Sequence, residues 1–136
     1  MYGGVAGHAG LFGTANDLAV MMQLMLNKGT YGDITLYKPE TVEAFTKRQS
    51  SLSRRGWGWD KPEPEVGKGG SASKLAPKST FGHTGFTGTC VWADPENELV
   101  YVFLSNRVYP EAENNKLLEE GIRTKIHDII YESMEK

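Results

Sequence analysis

Residues 80–89 read TFGHTGFTGT: three glycines, four threonines and one histidine set around two phenylalanines, running straight into the apolar stretch TCVWAD. Gly82, Gly85 and Gly88 have no Cβ, which lets a ligand come close to main-chain N–H groups. A strand edge with free N–H groups can take up an extended substrate as one more strand. One such N–H can also serve as an oxyanion donor, a role worth about 3–4 kcal/mol per donor. His83 and Thr84 alternate along the strand and therefore point to opposite faces. Spacing alone leaves a second reading open, in which the glycines merely permit a twisted edge strand and His83 is an ordinary surface residue.

From Phe81 onward the apolar period is two. TCVWAD and ELVYVFLSNRVY are joined by Pro95-Glu96-Asn97, a hairpin signal. Leu99, Val100, Val102, Phe103 and Leu104 form a nearly continuous apolar run, as in a strand covered on both faces. A three-strand antiparallel meander follows.

The flanks are helical. Thr14 and Asp17 form a capping pair and Gly29 a stop, with Leu18, Met21, Met22 and Met25 on one face and Leu24 and Leu26 widening it. TYGDITLY reads as a turn with short strands around Gly32-Asp33. Pro39 suits the first turn of a second helix to about Lys47, with Val42 and Phe45 inward, although Lys38 is a poor cap. Residues 49–79 mix Ser, Gly, Pro and charge without period; Trp57 and Trp59, two apart, would share a face of any short strand there. A last helix is expected from Asn114 or Asn115 to about Ser133. Its buried face would be Leu117, Leu118, Ile122, Ile126, Ile129 and Ile130, with Gly121 inside it. The predicted class is α+β, an antiparallel sheet packed with helices.

The bulk properties narrow the function. With 136 residues, net charge −2 and 24% charged residues, the chain has the composition of one ordinary domain. No basic stripe interleaved with aromatics is present, so nucleic acid is not an expected partner. No apolar run nears the roughly 18 residues of a membrane span. The single Cys90 excludes an intrachain disulfide and reads as a buried, inert thiol. His8, His83 and His127 lack ligand spacing, so neither metal nor cofactor is expected. The opening MYGGVAGHAG reads as a loop whose upstream neighbour is missing.

FGHTGFTGT, followed by a strand, an acidic-Pro hairpin and FLSNRVYP, resembles the third motif and sheet of the serine β-lactamases and penicillin-binding-protein-like hydrolases, especially their class C and esterase-like branch. AGHAGLFGTANDLAVMMQLMLNKGTYG is similar to that family's Gly-Leu loop and helix, and PETVEAFTKRQ to the helix that follows. A narrower likeness, to the hydrolase half fused to family 3 β-N-acetylhexosaminidases, rests on RRGWGWDKPE and the HTGFTGT run. The resemblance implies a partial β-lactamase/transpeptidase-like fold in which His83, Thr84 and Gly85 match the Lys/His-Thr/Ser-Gly motif. It implies that the Phe86 N–H is half of an oxyanion hole. Thr84 would hydrogen-bond the substrate or the catalytic network, and His83 would hold a substrate carboxylate or relay protons. It also implies a periplasmic or cell-envelope location and a small-molecule or peptidoglycan-derived substrate.

The family's S-x-x-K nucleophile motif and Tyr-x-Asn base motif lie upstream of everything matched. No Tyr-x-Asn occurs here. Ser71-Ala72-Ser73-Lys74 fits S-x-x-K literally, but it lies in a Gly/Ser loop where no helix would align Ser and Lys, and it immediately precedes the third motif. Residues 1–136 are therefore expected to be the C-terminal portion of one β-lactamase-like domain, with the N-terminal strands and nucleophile helix elsewhere. Alone, such a chain would be inactive. A second class remains: a non-catalytic peptidoglycan-binding or scaffold module of the same fold. Strand 99–108, expecting strands that are absent, would expose an edge for a homodimer.

Overall fold

The computed structural model describes residues 10–63, 65 and 70–134. Helix α1 spans Ala15–Leu26, and the capping box is formed: the Thr14 hydroxyl accepts from the Asp17 N–H (3.2 Å) while the Asp17 carboxylate accepts from the Thr14 N–H (2.8 Å). The helix stops where the Gly29 N–H reaches back to the Leu24 carbonyl (2.8 Å), with Gly29 at φ +99°. A two-stranded ribbon, β1 (Thr30–Tyr31) and β2 (Ile34–Thr35), leads into α2 (Pro39–Thr46). The main sheet is antiparallel in the order β3 (Phe81–Thr84), β4 (Cys90–Asp94), β5 (Leu99–Phe103). Two C-terminal helices close the chain, α3 (Lys116–Glu119) and α4 (Ile122–Met134). The α+β architecture with a three-strand meander is the one the sequence predicts.

The period-two pattern divides the sheet into two faces. Phe81, Ala93 and the half-buried Val91 and Val100 meet Met22, Leu24 and Met25 of α1 and Val42 of α2. Cys90, Trp92 and Tyr101 face the other way with Ala72, and Phe103, Ile126 and Ile130 pack around them. The 94–99 hairpin forms as read: the Asp94 carboxylate accepts from the Glu96 N–H (2.8 Å) and from the Asn97 amide (2.7 Å). Burial pushes the Cys90 thiol up to about 11, which suits an unreactive core residue.

One glycine is dictated by its neighbour. Gly82 pairs across the ladder with Trp92, and a Cβ there would collide with the Val91 carbonyl and the indole ring. Trp92, itself 1% exposed, thus lies flat on a backbone that has no side chain.

Five sequence expectations are corrected. β5 ends at Phe103 rather than 108, because the Arg107 N–H bonds the Thr87 carbonyl (2.9 Å) and the chain leaves the ladder to meet the β3–β4 link. The single long C-terminal helix is two, broken at Gly121, whose φ of +60° is left-handed. The buried face of α4 is His127 and Tyr131, whereas Leu118 and Ile129 are exposed. Met21 and Phe45 are also exposed, on either side of an apolar cavity of about 210 Å³ between α1 and α2. Finally, Trp57 and Trp59 share no strand: Gly58 between them has φ +77°. Trp57 meets Phe45 edge-on, and Trp59 meets Phe81 likewise.

His127, 1% exposed, joins α4 to the irregular loop before β3. Its Nδ1 accepts from the Ser73 N–H (3.2 Å), so the ring hydrogen sits on Nε2. Tyr101 and Tyr131 flank the ring at 4.7 and 5.1 Å between centroids. Burial drives the imidazole down to about 4, only partly countered by Asp128 and Asp94. The unfolded chain therefore takes up a proton near pH 6.5 that the folded chain refuses until about pH 4, and stability is lost as pH falls through that window. Urea denaturation should show a loss approaching 1.4 kcal/mol per pH unit between pH 6.5 and 4.5. His127→Phe should flatten that slope, and an unchanged slope in the variant would assign it to other groups.

Candidate active site

β3 is the outer strand of the sheet, so one of its edges points away from β4. The first part of that edge is occupied. Gly82 exchanges two backbone hydrogen bonds with Asp60, Asp60 N–H to Gly82 O at 2.7 Å and Gly82 N–H to Asp60 O at 3.0 Å. Strand alternation puts the Thr84 N–H and C=O on the same edge, two residues further on. There the isolated bridge has ended, and among the described residues no strand pairs with it. His83 and Thr84 lie opposite Val91 and Cys90 in the ladder and so sit on opposite faces.

His83 is exposed, and its Nδ1 lies 2.7 Å from the Thr84 carbonyl. That contact makes Nδ1 the donor and leaves Nε2 an acceptor, which faces the Arg55 guanidinium at 3.5 Å. Thr84 is half-buried beside this pair.

Beyond Thr84 the chain turns. The Gly85 N–H bonds the Thr89 carbonyl (2.8 Å), and the Gly88 N–H bonds the Gly85 carbonyl (3.0 Å). Gly88 has φ +97°, a conformation suited to glycine. In a trans peptide the C=O and N–H oppose each other. With the Gly85 carbonyl turned into the link, the Phe86 N–H is turned out of it. The Phe86 ring is exposed, under the Arg107 guanidinium at 4.8 Å.

The Asp60 bridge is held from behind. Burial pulls the Asp60 carboxyl upward, but hydrogen bonds from Arg54, Ser71 and the Lys61 N–H outweigh it and keep its pKa below the ordinary carboxylate value. Arg54 grips it with Nε and Nη2, both at 2.8 Å. The neighbouring Lys61 is buried, and its ammonium donates to the Thr46, Ser79 and Thr80 carbonyls at 3.0–3.1 Å. Burial lowers its pKa to about 8. The tie between α2 and the start of β3 is therefore a cation bonded to carbonyls.

Of the residues singled out from sequence, His83, Thr84, Gly85 and Phe86 lie together at the open end of β3. Ser71 and Lys74 lie in irregular chain: Ser71 Oγ donates to Asp60 (2.7 Å), and Lys74 is exposed. His8 lies outside the described residues. Arg55, Asp60 and Arg107 were not foreseen. They reach the strand from 28, 22 and 21 positions away, through Arg55–His83, Asp60–Gly82 and Arg107–Phe86, and no local pattern marks such contacts.

An outer strand ending in His83 and Thr84, backed by a meander and flanked by helices, is the arrangement of a partial β-lactamase-like fold. The Beta-lactamase family model matches residues 1–122, and the chain belongs to that family. It is 42% identical over 115 residues to proteins of Salmonella paratyphi B, Salmonella newport and Salmonella heidelberg, each named "Putative D-alanyl-D-alanine carboxypeptidase". Those matches cover 85% of this chain and 26% of each relative, so the chain spans about a quarter of the length of the curated relatives it matches. A solved structure described as a "putative beta-lactamase" from Bacteroides dorei is 16% identical, with TM-score 0.48, covering 85% of this chain and 40% of that one.

Asp60→Ala should cost about 2 kcal/mol in urea denaturation, because it leaves the Arg54 guanidinium without its carboxylate. Hydrogen exchange at the Gly82 amide should accelerate with it. A loss below about 0.5 kcal/mol would mean that the bridge stands without this carboxylate.

Proposed function

We propose that this chain supplies the substrate-side strand of a serine hydrolase that cleaves an amide or ester bond through an acyl-enzyme. The observation that carries the reading is the open end of β3, where the Thr84 and Phe86 N–H groups turn outward from a His-Thr-Gly stretch. A serine hydroxyl attacks the acyl carbon, forming a C–O bond and placing negative charge on the acyl oxygen. The Phe86 N–H, with one further donor, takes up that charge. The leaving amine or alcohol departs with a proton, and water then attacks the ester to release the acid. The Thr84 hydroxyl hydrogen-bonds substrate or the proton-transfer network, and His83, whose Nε2 is an acceptor facing Arg55, is suited to relay a proton, while Arg55 beside it is the group that can meet a substrate carboxylate. The serine and its base belong to polypeptide outside residues 1–136, in the same β-lactamase-like domain. The carboxypeptidase name of the relatives favours a muropeptide over a β-lactam or simple ester as natural substrate, and with it a cell-envelope or periplasmic location. Among the described residues no helix is long and apolar enough to cross a membrane.

One observation favours a second reading, a non-catalytic peptidoglycan-binding or scaffold module. His83 spends Nδ1 on the Thr84 carbonyl, and its Nε2 faces Arg55; this ring offers no ammonium such as a lysine would bring to the same place. Both readings include association through β5, whose far side has no paired strand among the described residues.

The 136-residue chain alone should neither retain a fluorescent penicillin covalently nor turn over a chromogenic cephalosporin, whereas the longer polypeptide should form an acyl-enzyme. Turnover by the short chain would place a nucleophile inside it. Ligand binding without any acylation of the longer polypeptide would favour the module. Light scattering at high concentration should show dimers or larger species of the short chain, and a monodisperse monomer would count against pairing through residues 99–103.

A further inference from the structure

We propose that Arg107 is the positioning residue that fixes the direction of the Phe86 N–H, an inference resting on the reading of that N–H as an oxyanion donor. Five contacts converge on this one side chain. Its Nε donates to the Phe86 carbonyl (2.9 Å), and its guanidinium plane lies over the Phe86 ring. Its Nη1 is held in turn by the Ala112 carbonyl (3.2 Å), the Asn114 carbonyl (3.4 Å) and Asn115 Oδ1 (3.2 Å).

The main chain of the same residue adds a second grip, since the Arg107 N–H donates to the Thr87 carbonyl (2.9 Å). Ser105 Oγ, two residues earlier, donates to that carbonyl as well (3.2 Å). The Phe86 and Thr87 carbonyls are thus both occupied from the segment that follows β5, and the Gly85 carbonyl is taken by the Gly88 N–H. Three successive peptide groups have their acceptors fixed. The Gly88 N–H fixes the Gly85–Phe86 peptide that carries the Phe86 N–H, and Arg107 fixes the adjoining Phe86–Thr87 peptide, so the first plane cannot turn without moving one that the guanidinium holds.

A glycine-flanked link would otherwise sample many orientations, because Gly85 and Gly88 restrict the backbone little. An oxyanion donor works only when it is held where charge develops, and small misplacements are costly. Arg107 is suited to that task because a planar fork holds several acceptors in fixed directions, which an ammonium does not. The fork joins β3's link to the stretch leading into α3, so the donor is tied to the body of the fold.

The test has two arms. In the ¹⁵N-labelled 136-residue chain, Arg107→Gln should split or broaden the amide resonances of Phe86, Thr87 and Gly88 while those of β4 and β5 keep their positions. Arg107→Lys, which keeps the charge without the fork, should fail to restore them. In the longer polypeptide, Arg107→Gln should lower kcat for acyl transfer about 100-fold, with KM within about twofold and the pH–rate profile unchanged in shape. Undisturbed 86–88 resonances overturn the proposal whatever becomes of the hydrolase reading. A loosened link with unchanged kcat also overturns it, since the donor would then need no positioning. A wild-type longer polypeptide that never forms an acyl-enzyme sinks the hydrolase reading, and the catalytic meaning of the clamp with it, while the resonances still decide whether Arg107 holds the link.

Discussion

Two backbone hydrogen bonds between Asp60 and Gly82 decide how much of the outer edge of β3 is open. A longer pairing would seal the edge, and none at all would leave a whole strand bare for aggregation. The bridge stays short because Asp60 is tethered by its side chain to Arg54 and Ser71, while Lys61 is drawn away to the Thr46, Ser79 and Thr80 carbonyls. The segment touches β3 once and then leaves it. What remains beyond Gly82 is a short length of main chain bordered by His83, Thr84 and the glycine link. Among the described residues no strand pairs with that length.

Charge is distributed to the same end. The buried acid Asp60 is neutralised by Arg54, which leaves Arg55 farther from it, at 3.7 Å, and within reach of His83. Arg107 approaches from the other side of the link. Two guanidinium groups thus flank the open strand end, one beside the imidazole and one above the phenylalanine. Arg55 shares Asp60 with Arg54, whereas every acceptor of Arg107 is an uncharged oxygen, so its charge is not matched by a carboxylate.

Much of the fold could be read in the chain because its signals are local. The Thr14–Asp17 capping box, the Pro39 helix start, the 94–99 hairpin and the alternation of Cys90, Trp92 and Tyr101 against Val91, Ala93 and Val100 each follow from a few neighbouring residues. The misreadings share a cause. Period alone points every apolar residue inward, but Leu118, Ile129, Met21 and Phe45 lie on flanks that their elements do not bury, and His127 and Tyr131 take the inner face because rings and hydrogen bonds hold them there. The apolar period runs through Gly121 as through any helical residue, whereas its left-handed φ breaks the helix there. The His-Thr-Gly stretch was legible as a strand rich in glycine; the groups that orient it were not, because each arrives from more than twenty residues away.

The Trp92 indole resting on Gly82 has a consequence for how this chain can vary. The two positions behave as one steric unit: a methyl at 82 needs a smaller ring or none at 92, and shrinking 92 alone leaves a hollow between sheet and α4. Descendants of this sequence should therefore exchange the pair jointly or keep both. The register of the strand that carries the histidine is in this way inherited together with an aromatic residue on its neighbour.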